Sequence, residues 1–413
     1  MNWTVASLSD FLSLEYGASL REPNRDASGQ IPVAGSNGIV GYHSKALIKG
    51  PGIVVGRKGS AGKVTWFDTD FWPIDTTFYI RLKIAANVRW VFYLLQSLKL
   101  EQFSITTGVP GINRNDVYRL QVFIPPPSEQ RRIVEILDQA DALRRIRAEA
   151  DGKGDRILPA LFIKMFGDPI TNPMGWDVVL VEKLFSRERS GTKCGPFGSA
   201  LKKHEYVDNG IAVWGIDNIK PNQFVESGSL FITPTKYEEL KSYSVEHGDI
   251  IISRAGTVGR MCVARPQQSH SIISTNLIRL TLDKERIFPE YFTSLLSYFP
   301  ASVNQLRTSG DDGAYSFMNT TILKSLKIPL PPFDLQNEYT LRMAEIRRLN
   351  AKQIESQAKL NNLFQCLLYR AFSGELTAKW REAHMKELLA EMKEQAKALN
   401  LKDNKDSQQL SLL

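Results

Sequence analysis

Gly52-Ile53-Val54-Val55-Gly56-Arg57-Lys58-Gly59-Ser60-Ala61-Gly62-Lys63 and Asp249-Ile250-Ile251-Ile252-Ser253-Arg254-Ala255-Gly256-Thr257-Val258-Gly259-Arg260 are two copies of one pattern, 197 positions apart. In each, a run of β-branched residues leads into a basic residue, Gly-x-x-Gly and another basic residue. A short apolar run bounded by turn residues reads as a buried strand, so each block predicts strand, glycine turn and return. Working outward, Trp3-Thr4-Val5 matches Trp176-Asp177-Val178 at an offset of 173, and Leu8, Phe11 and Leu12 fall against Val181, Leu184 and Phe185. Downstream, Ile124-Pro125-Pro126-Pro127 corresponds to Ile328-Pro329-Leu330-Pro331-Pro332. From Gln130 and Gln336 the offset is 206, and it still holds at Phe166 and Phe372. The second copy is thus 33 residues longer, and the extra length lies before its helix. Solenoid repeats are far shorter, about 20–45 residues, so the duplication predicts two pseudo-equivalent halves.

Both halves have the same internal order. The first part is rich in Gly, Pro, Thr and aromatic residues with short β-branched runs such as Ile250-Ile251-Ile252 and Ile272-Ile273, and reads as mostly β with some helix. A helical stretch follows the proline punctuation. No Gly or Pro interrupts residues 334–372, which Asp334 can cap, and Leu335, Tyr339, Ile346, Leu349, Leu360, Leu363, Phe364, Leu367 and Leu368 follow helical spacing only in part. The first helix begins near Ser128 and carries Ile133, Ile136, Leu137, Ala140, Leu143 and Ile146 on one face. Asp151-Gly152-Lys153-Gly154-Asp155 should break or kink it, since each glycine costs roughly 1 kcal/mol against alanine; Pro159 follows. Neither helix has a full apolar face to bury alone, which predicts that the two pack on each other. A charged helix over Lys379–Leu399 and a polar tail close the chain.

Among the 413 residues, 52 Lys and Arg stand against 44 Asp and Glu, a net charge of +8. That charge is spread out: no segment is a basic tail or a strongly basic domain, so composition alone argues only mildly for nucleic acid. No apolar run is long enough to span a bilayer, and Met1 to Gly17 lacks the basic leader of a signal peptide. Cys194, Cys262 and Cys366 are too few and too scattered for a disulfide framework or a metal knuckle, which makes a reducing cytoplasm the expected compartment.

The motifs of catalysis do not assemble. Between Gly56 and Gly62 stand five residues where a phosphate-binding loop needs four, and Lys63 is followed by Val64 rather than Ser or Thr. The second copy ends in Arg260, which would not serve. His43, His204, His247, His270 and His384 show no ligand spacing. Glu239-Leu240-Lys241 has the local form of a nuclease carboxylate–lysine pair but no upstream acidic partner in a strand context. Asn172-Pro173-Met174-Gly175-Trp176 lacks the paired prolines and aromatic of an adenine methyltransferase, and no glycine-rich cofactor loop opens a βαβ unit.

The assembled duplication resembles the specificity subunits of type I restriction–modification systems. The resemblance rests on Gly256-Thr257-Val258-Gly259-Arg260, Ile328-Pro329-Leu330-Pro331-Pro332 and the Gln-initiated helix after it. It rests also on Leu161-Phe162-Ile163-Lys164-Met165-Phe166-Gly167-Asp168-Pro169 at the end of the first helix and Ala371-Phe372-Ser373-Gly374-Glu375-Leu376 at the end of the second. It covers nearly the whole chain.

The resemblance implies an α+β fold: two pseudo-repeated α/β target-recognition domains separated by two long antiparallel helices forming a coiled pair. The domains would be residues 1–127 and 167–332, the helices 128–166 and 333–376, with a C-terminal helix and polar tail at 377–413. It also implies a non-catalytic chain whose partners are double-stranded DNA with a bipartite site, two methyltransferase subunits and two ATP-driven restriction subunits. S-adenosylmethionine, ATP and Mg²⁺ would belong to those partners.

Phosphate contacts need Lys, Arg and backbone amides, while base reading needs forked or paired hydrogen-bonding groups. Copy one offers Lys45, Arg57, Lys58, Lys63, Thr106, Thr107 and Arg114. Copy two offers Lys202, Lys203, Asn218, Arg254, Thr257, Arg260, Arg307 and Ser309. Gly59, Gly62, Gly256 and Gly259 are expected to shape the turns rather than touch DNA. Two alternatives fit the same residues: an orphan DNA-binding protein, and a cryptic Mg²⁺-dependent nuclease.

Overall fold

The computed structural model describes residues 3–105, 109–154, 156–197, 200–220, 223–226, 228, 230–254, 259–298 and 320–399. The candidates Thr106, Thr107, Thr257, Arg307 and Ser309 lie outside the described residues, as do Gly256 and the tail from 400 onward. The chain forms two compact units, one of residues 1–148 with 355–413 and the other of 149–354. Each long helix therefore contributes its two ends to different units.

In unit 1, strands β1 (Thr4–Ser7), β2 (Leu12–Tyr16), β3 (Ile31–Gly35), β4 (Gly38–His43), β5 (Gly52–Gly56), β6 (Val64–Phe67), β7 (Trp72–Pro73), β8 (Thr77–Leu82) and β9 (Gln121–Ile124) are joined by helix α1 (Val88–Ser97). A four-stranded sheet runs β2-β8-β5-β6, a three-stranded one β4-β3-β7, and β1 pairs with β9. The run at β5 is apolar throughout because both of its faces are covered. Ile53 and Val55 face the main core with Trp90, Leu94 and Phe364, whereas Val54 faces Ala34, Phe67 and Phe71. This is the two-residue period of a strand, hidden by double burial.

Two helices reach into both units: α2 (Pro127–Gly154) and α5 (Phe333–Phe372), with α3 (Ile157–Phe166) and α4 (Pro289–Tyr298) between them. The C-terminal helices α6 (Ala378–Ala383) and α7 (Met385–Ala398) replace the single expected charged helix, with His384 between them. Helix α2 runs through both Gly152 and Gly154, and the helical path resumes at Ile157. Neither glycine therefore breaks the helix. Pro159 does no harm, because it sits in the first turn of α3, where its missing N–H has no partner to lose. Asp334 lies inside the first turn of α5, since that helix begins one residue earlier. There it favours the positive end of the helix dipole rather than capping it.

Unit 2 repeats unit 1. Its strands are β10 (Asp177–Leu180), β11 (Thr192–Cys194), β12 (Tyr206–Val207), β13 (Ile211–Trp214), β14 (Leu230–Ile232), β15 (Ile250–Ser253), β16 (Met261–Val263), β17 (Ser271–Ile273), β18 (Leu277–Leu280) and β19 (Lys327–Leu330). The order β11-β18-β15-β16 mirrors β2-β8-β5-β6, and β10 pairs with β19 as β1 does with β9. Ile250 and Ile252 face one core and Ile251 another, as at β5. The hairpin Ile219–Lys220 with Gln223–Phe224 and the short helix Pro234–Glu239 have no counterpart among the described residues of unit 1. They account for part of the extra length.

Within each unit the long helices run antiparallel. In unit 1, Glu129 of α2 meets Thr377 just beyond α5, and Arg144 Nε donates to Asn361 Oδ1 at 3.0 Å, so partner numbers fall as α2 advances. In unit 2, Gly154 lies beside Asn350 and Gln353, and Phe162 and Phe166 pack edge-on against Tyr339. The expected apolar stripe is corrected in one respect. Ile133 and Leu137 are buried in the unit 1 core, but Leu143 and Ile146 are 56% and 65% exposed, and Leu349 and Leu363 are also exposed. Helix residues are buried where they enter a domain core. Farther along, the contact in unit 1 is polar, made by Arg144, Gln357 and Asn361.

Candidate nucleic-acid interface

The duplicated turns are closed by the same hydrogen bonds. In unit 1, Gly56 N–H donates to the Lys63 carbonyl at 2.9 Å, Gly62 N–H to the Gly56 carbonyl at 2.8 Å, and Arg57 N–H to the Thr76 carbonyl at 2.9 Å. In unit 2, Ser253 donates to Arg260 at 2.8 Å, Gly259 to Ser253 at 3.0 Å and Arg254 to Asn276 at 3.0 Å. Gly62 and Gly259 hold φ near +86° and +85°, in the left-handed region that favours glycine. At Gly62 a Cβ would also come within 2.4 Å of the Glu101 amide nitrogen. The two sequence blocks therefore specify one backbone device twice, once per unit.

Unit 1 gathers three of its candidates around a cleft of about 220 Å³ lined by Tyr16, Arg57, Lys58, Asn113, Arg114 and Asn115, among others. Arg57 is aimed by the turn that leads into β8: Nε and Nη2 donate to the Asp75 carbonyl at 3.0 and 2.7 Å, and its guanidinium lies 5.2 Å from the Tyr16 ring centroid. Arg114 covers Tyr16 at 5.4 Å and Tyr118 at 5.7 Å. Such stacking fixes guanidinium planes while leaving N–H edges available. Lys58 is bridged to Gly111, and Gly59 N–H bonds the Pro110 carbonyl, which seats the turn beside the short helix Arg114–Tyr118. Asn113 caps that helix by accepting from Asn115 N–H at 3.0 Å, and both asparagines are exposed.

Other candidates in unit 1 do not join this cleft. Lys63 donates to the Asn37 carbonyl and side chain at 2.9 and 2.7 Å, and Lys45 is exposed between β4 and β5. Tyr16, Asn113 and Asn115 are additions that sequence reading missed. Tyr16 comes from a strand far upstream, and nothing local to the asparagines marks them.

Unit 2 presents a variant of the same site. Arg254 lies 4.7 Å from the ring centroid of the exposed Phe197, and its Nη1 is buried with no hydrogen-bond partner among the described residues. Arg260 Nη1 reaches the Ile219 carbonyl at 3.4 Å. Lys202 and Lys203 are exposed at the start of a short 3₁₀ turn.

Asn218 is corrected. It is 2% exposed, its Oδ1 accepts from Gly215 N–H at 2.7 Å and its Nδ2 donates to the Val225 carbonyl at 2.8 Å. Both ends of its amide hold a turn rather than face a groove. The triplet Glu239-Leu240-Lys241 is tied up locally, with Glu239 paired to Lys236, Lys241 to Glu238 and Leu240 buried between them. Among the described residues no cluster of His, Cys, Asp or Glu could hold a metal ion, and no helix is long and apolar enough to cross a membrane.

The family described as the type I restriction modification DNA specificity domain matches residues 1–151 and 197–361, one stretch in each half. The EcoBI specificity subunit of Escherichia coli is 32% identical over 292 residues, which is 62% of this chain and 59% of that protein. The MjaVIII specificity subunit of Methanocaldococcus jannaschii is 22% identical over 314 residues, 69% of this chain and 71% of that one. The first of these relatives is matched over less than two thirds of its length. The crystal structure of the S subunit from M. genitalium superposes with a TM-score of 0.57 at 18% identity, covering 90% of this chain and 96% of that one, which shows a shared fold. With both halves matched, the chain belongs to the type I restriction–modification DNA specificity family.

Proposed function

We propose that this chain is the sequence-reading subunit of a type I restriction–modification complex, each unit contacting one half of a bipartite double-stranded DNA site. One observation carries this reading: an arginine-bearing turn closed by the same hydrogen bonds stands at the same place on two sheets of the same strand order. A duplicated reader suits a split target, because each half-site needs its own set of groove contacts. In unit 1, Arg57 and Arg114 supply guanidinium edges suited to guanine O6 and N7. The exposed Asn115 supplies an amide of the kind that pairs with adenine N6 and N7, while Asn113 keeps its Oδ1 on the helix cap. Lys58, Lys63 and Lys45 in unit 1, and Lys202 and Lys203 in unit 2, supply phosphate contacts that set register without reading sequence. Arg254 brings to unit 2 a guanidinium held over the exposed Phe197, as Arg57 is held over Tyr16 in unit 1.

In this reading the chain is non-catalytic. Two methyltransferase subunits carry S-adenosylmethionine and modify adenine. Two restriction subunits carry ATP and Mg²⁺, and the complex works in the cytoplasm. Exposed apolar side chains on the helices, Leu143, Ile146 and Leu363 in unit 1 and Leu341 and Ile354 in unit 2, offer surface for those partners. The test is reconstitution. The purified chain with S-adenosylmethionine or Mg²⁺ should neither methylate nor cut DNA, and addition of its methyltransferase should produce adenine methylation at one bipartite motif. Turnover by the chain alone, free of partners, would refute the assignment.

A further inference from the structure

The junction between each recognition domain and the helix that leaves it is fastened by one buried side chain, and it is the same side chain twice. In unit 1, Gln130 on the first turns of α2 is fully buried. Its Nε2 donates to the Pro125 carbonyl at 2.8 Å, and its Oε1 accepts from Asn87 N–H, at the start of α1, at 2.9 Å. In unit 2, Gln336 is equally buried, with Nε2 to the Pro331 carbonyl at 2.8 Å and Oε1 to Phe288 N–H, just before α4, at 3.0 Å. Each amide therefore joins three elements: the proline segment closing the domain, the domain's own helix, and the departing long helix. A buried amide with both ends used in fixed geometry defines a direction, because rotating the helix breaks both bonds with no water to replace them. Apolar packing of Ile133 and Leu137, or of Tyr339 and Met343, holds the helix to the domain but tolerates sliding and tilt far better.

We propose that Gln130 and Gln336 are positioning residues for DNA recognition. They fix the angle at which each long helix leaves its recognition domain, and so the spacer length between half-sites that the complex accepts. The proposal rests on the reading that the chain recognises a bipartite site, and it adds that the long helices act as the ruler that sets the spacing between half-sites. Junction 1 carries an extra fastening with no equivalent at junction 2 among the described residues: Gln395 of α7 also donates to the Pro125 carbonyl at 3.1 Å. Gln336 is thus the sole amide tie of its kind at junction 2 among the described residues, and spacing should depend on it more strongly than on Gln130.

The experiment uses the reconstituted methyltransferase complex and a set of duplexes with unchanged half-sites and spacers from two base pairs shorter to two longer. Gln336→Met keeps the volume and removes both hydrogen bonds. Gln336→Glu keeps the acceptor but loses the amide donor. Gln130→Met tests junction 1, and a protein with four residues added after Leu143 and after Leu349 tests the helices as rulers. The expected result for Gln336→Met is a fall of about tenfold in preference for the native spacer over its neighbours. Gln130→Met should show a smaller fall and Gln336→Glu an intermediate one, while single-base changes in either half-site remain discriminated as before. A uniform loss of activity on all spacers, with the ratio unchanged, would show a merely structural role and overturn the proposal. If Gln336→Met does not fold, the ratio measured with Gln336→Glu decides alone. Should the lengthened protein move its spacer preference while the glutamine variants keep theirs, only this inference falls. Should the lengthened protein not move, the ruler reading falls and takes this inference with it.

Discussion

Glu129 is the place where a single substitution should cost unit 1 most. Its carboxylate is fully buried and accepts from Trp3 Nε1 at 2.9 Å, Thr377 Oγ1 at 2.6 Å and Arg381 Nε at 2.8 Å, with Arg381 Nη2 at ion-pair distance, 2.8 Å. Arg381 is itself largely buried, lies 5.0 Å from the Trp3 ring centroid, and has the Gly374 carbonyl as a further acceptor. Glu129→Ala removes the counter-charge and leaves an indole N–H, a hydroxyl and a guanidinium short of acceptors. Breaking a buried pair in this way costs about 3–5 kcal/mol. In urea, with a slope of about 2 kcal/mol per molar, the unit 1 transition should fall by roughly 1.5–2.5 M. Tryptophan fluorescence reports it, since Trp3, Trp66, Trp90 and Trp380 all lie in unit 1. The second copy supplies the control, because its position equivalent to Glu129 is Leu335, packed against an apolar core. Glu129→Leu combined with Arg381→Met should therefore recover most of the loss, as buried pairs exchanged for apolar groups often do. A Glu129→Ala protein within about 0.5 kcal/mol of the parent, the scatter of ordinary surface substitutions, would refute the reasoning.

Three further outcomes are expected. Gly62→Val sets a side chain against the Glu101 backbone at a residue with φ near +86°, so it should destabilise unit 1 by more than about 2 kcal/mol and impair one half-site only; chemical denaturation and methylation assays on half-site variants measure this. Arg57→Ala should relax base discrimination in one half of the motif and Arg254→Ala in the other, each by about 1–3 kcal/mol in binding titrations on substituted duplexes; loss of discrimination in both halves from either change would contradict independent reading. Burial pushes the Cys262 thiol up to about 12, so it should resist iodoacetamide at pH 8 until the protein unfolds, whereas the exposed Cys366 should react in the native state, as peptide mass mapping would reveal.

Much of the fold was legible because duplication converts weak signals into paired ones. Neither glycine block would mark a turn with certainty alone, yet the two copies end in the same hydrogen bonds. The offset between Gln130 and Gln336 was visible as arithmetic, but the junction they make was not, because each amide binds groups from other elements. The site was read less well. Arg57, Lys58 and Arg114 do converge, but the cleft between them depends on Tyr16 and on the loop at Asn113, which tertiary pairing brings together. Asn218 misled because an asparagine near aromatic and basic residues looks the same whether its amide faces solvent or closes a turn. The helices misled in their middles: periodicity placed Leu143 and Ile146 on the packing face, whereas the contact there is made by polar side chains.

The central claim is that the two units read two half-sites independently. Its most direct measurement is the methylated motif, determined by sequencing host DNA after residues 1–127 are replaced by the same region of another family member. The account predicts that one half of the motif changes while the other half persists unaltered. A simultaneous change in both halves, or an unchanged motif from an active chimera, would contradict it.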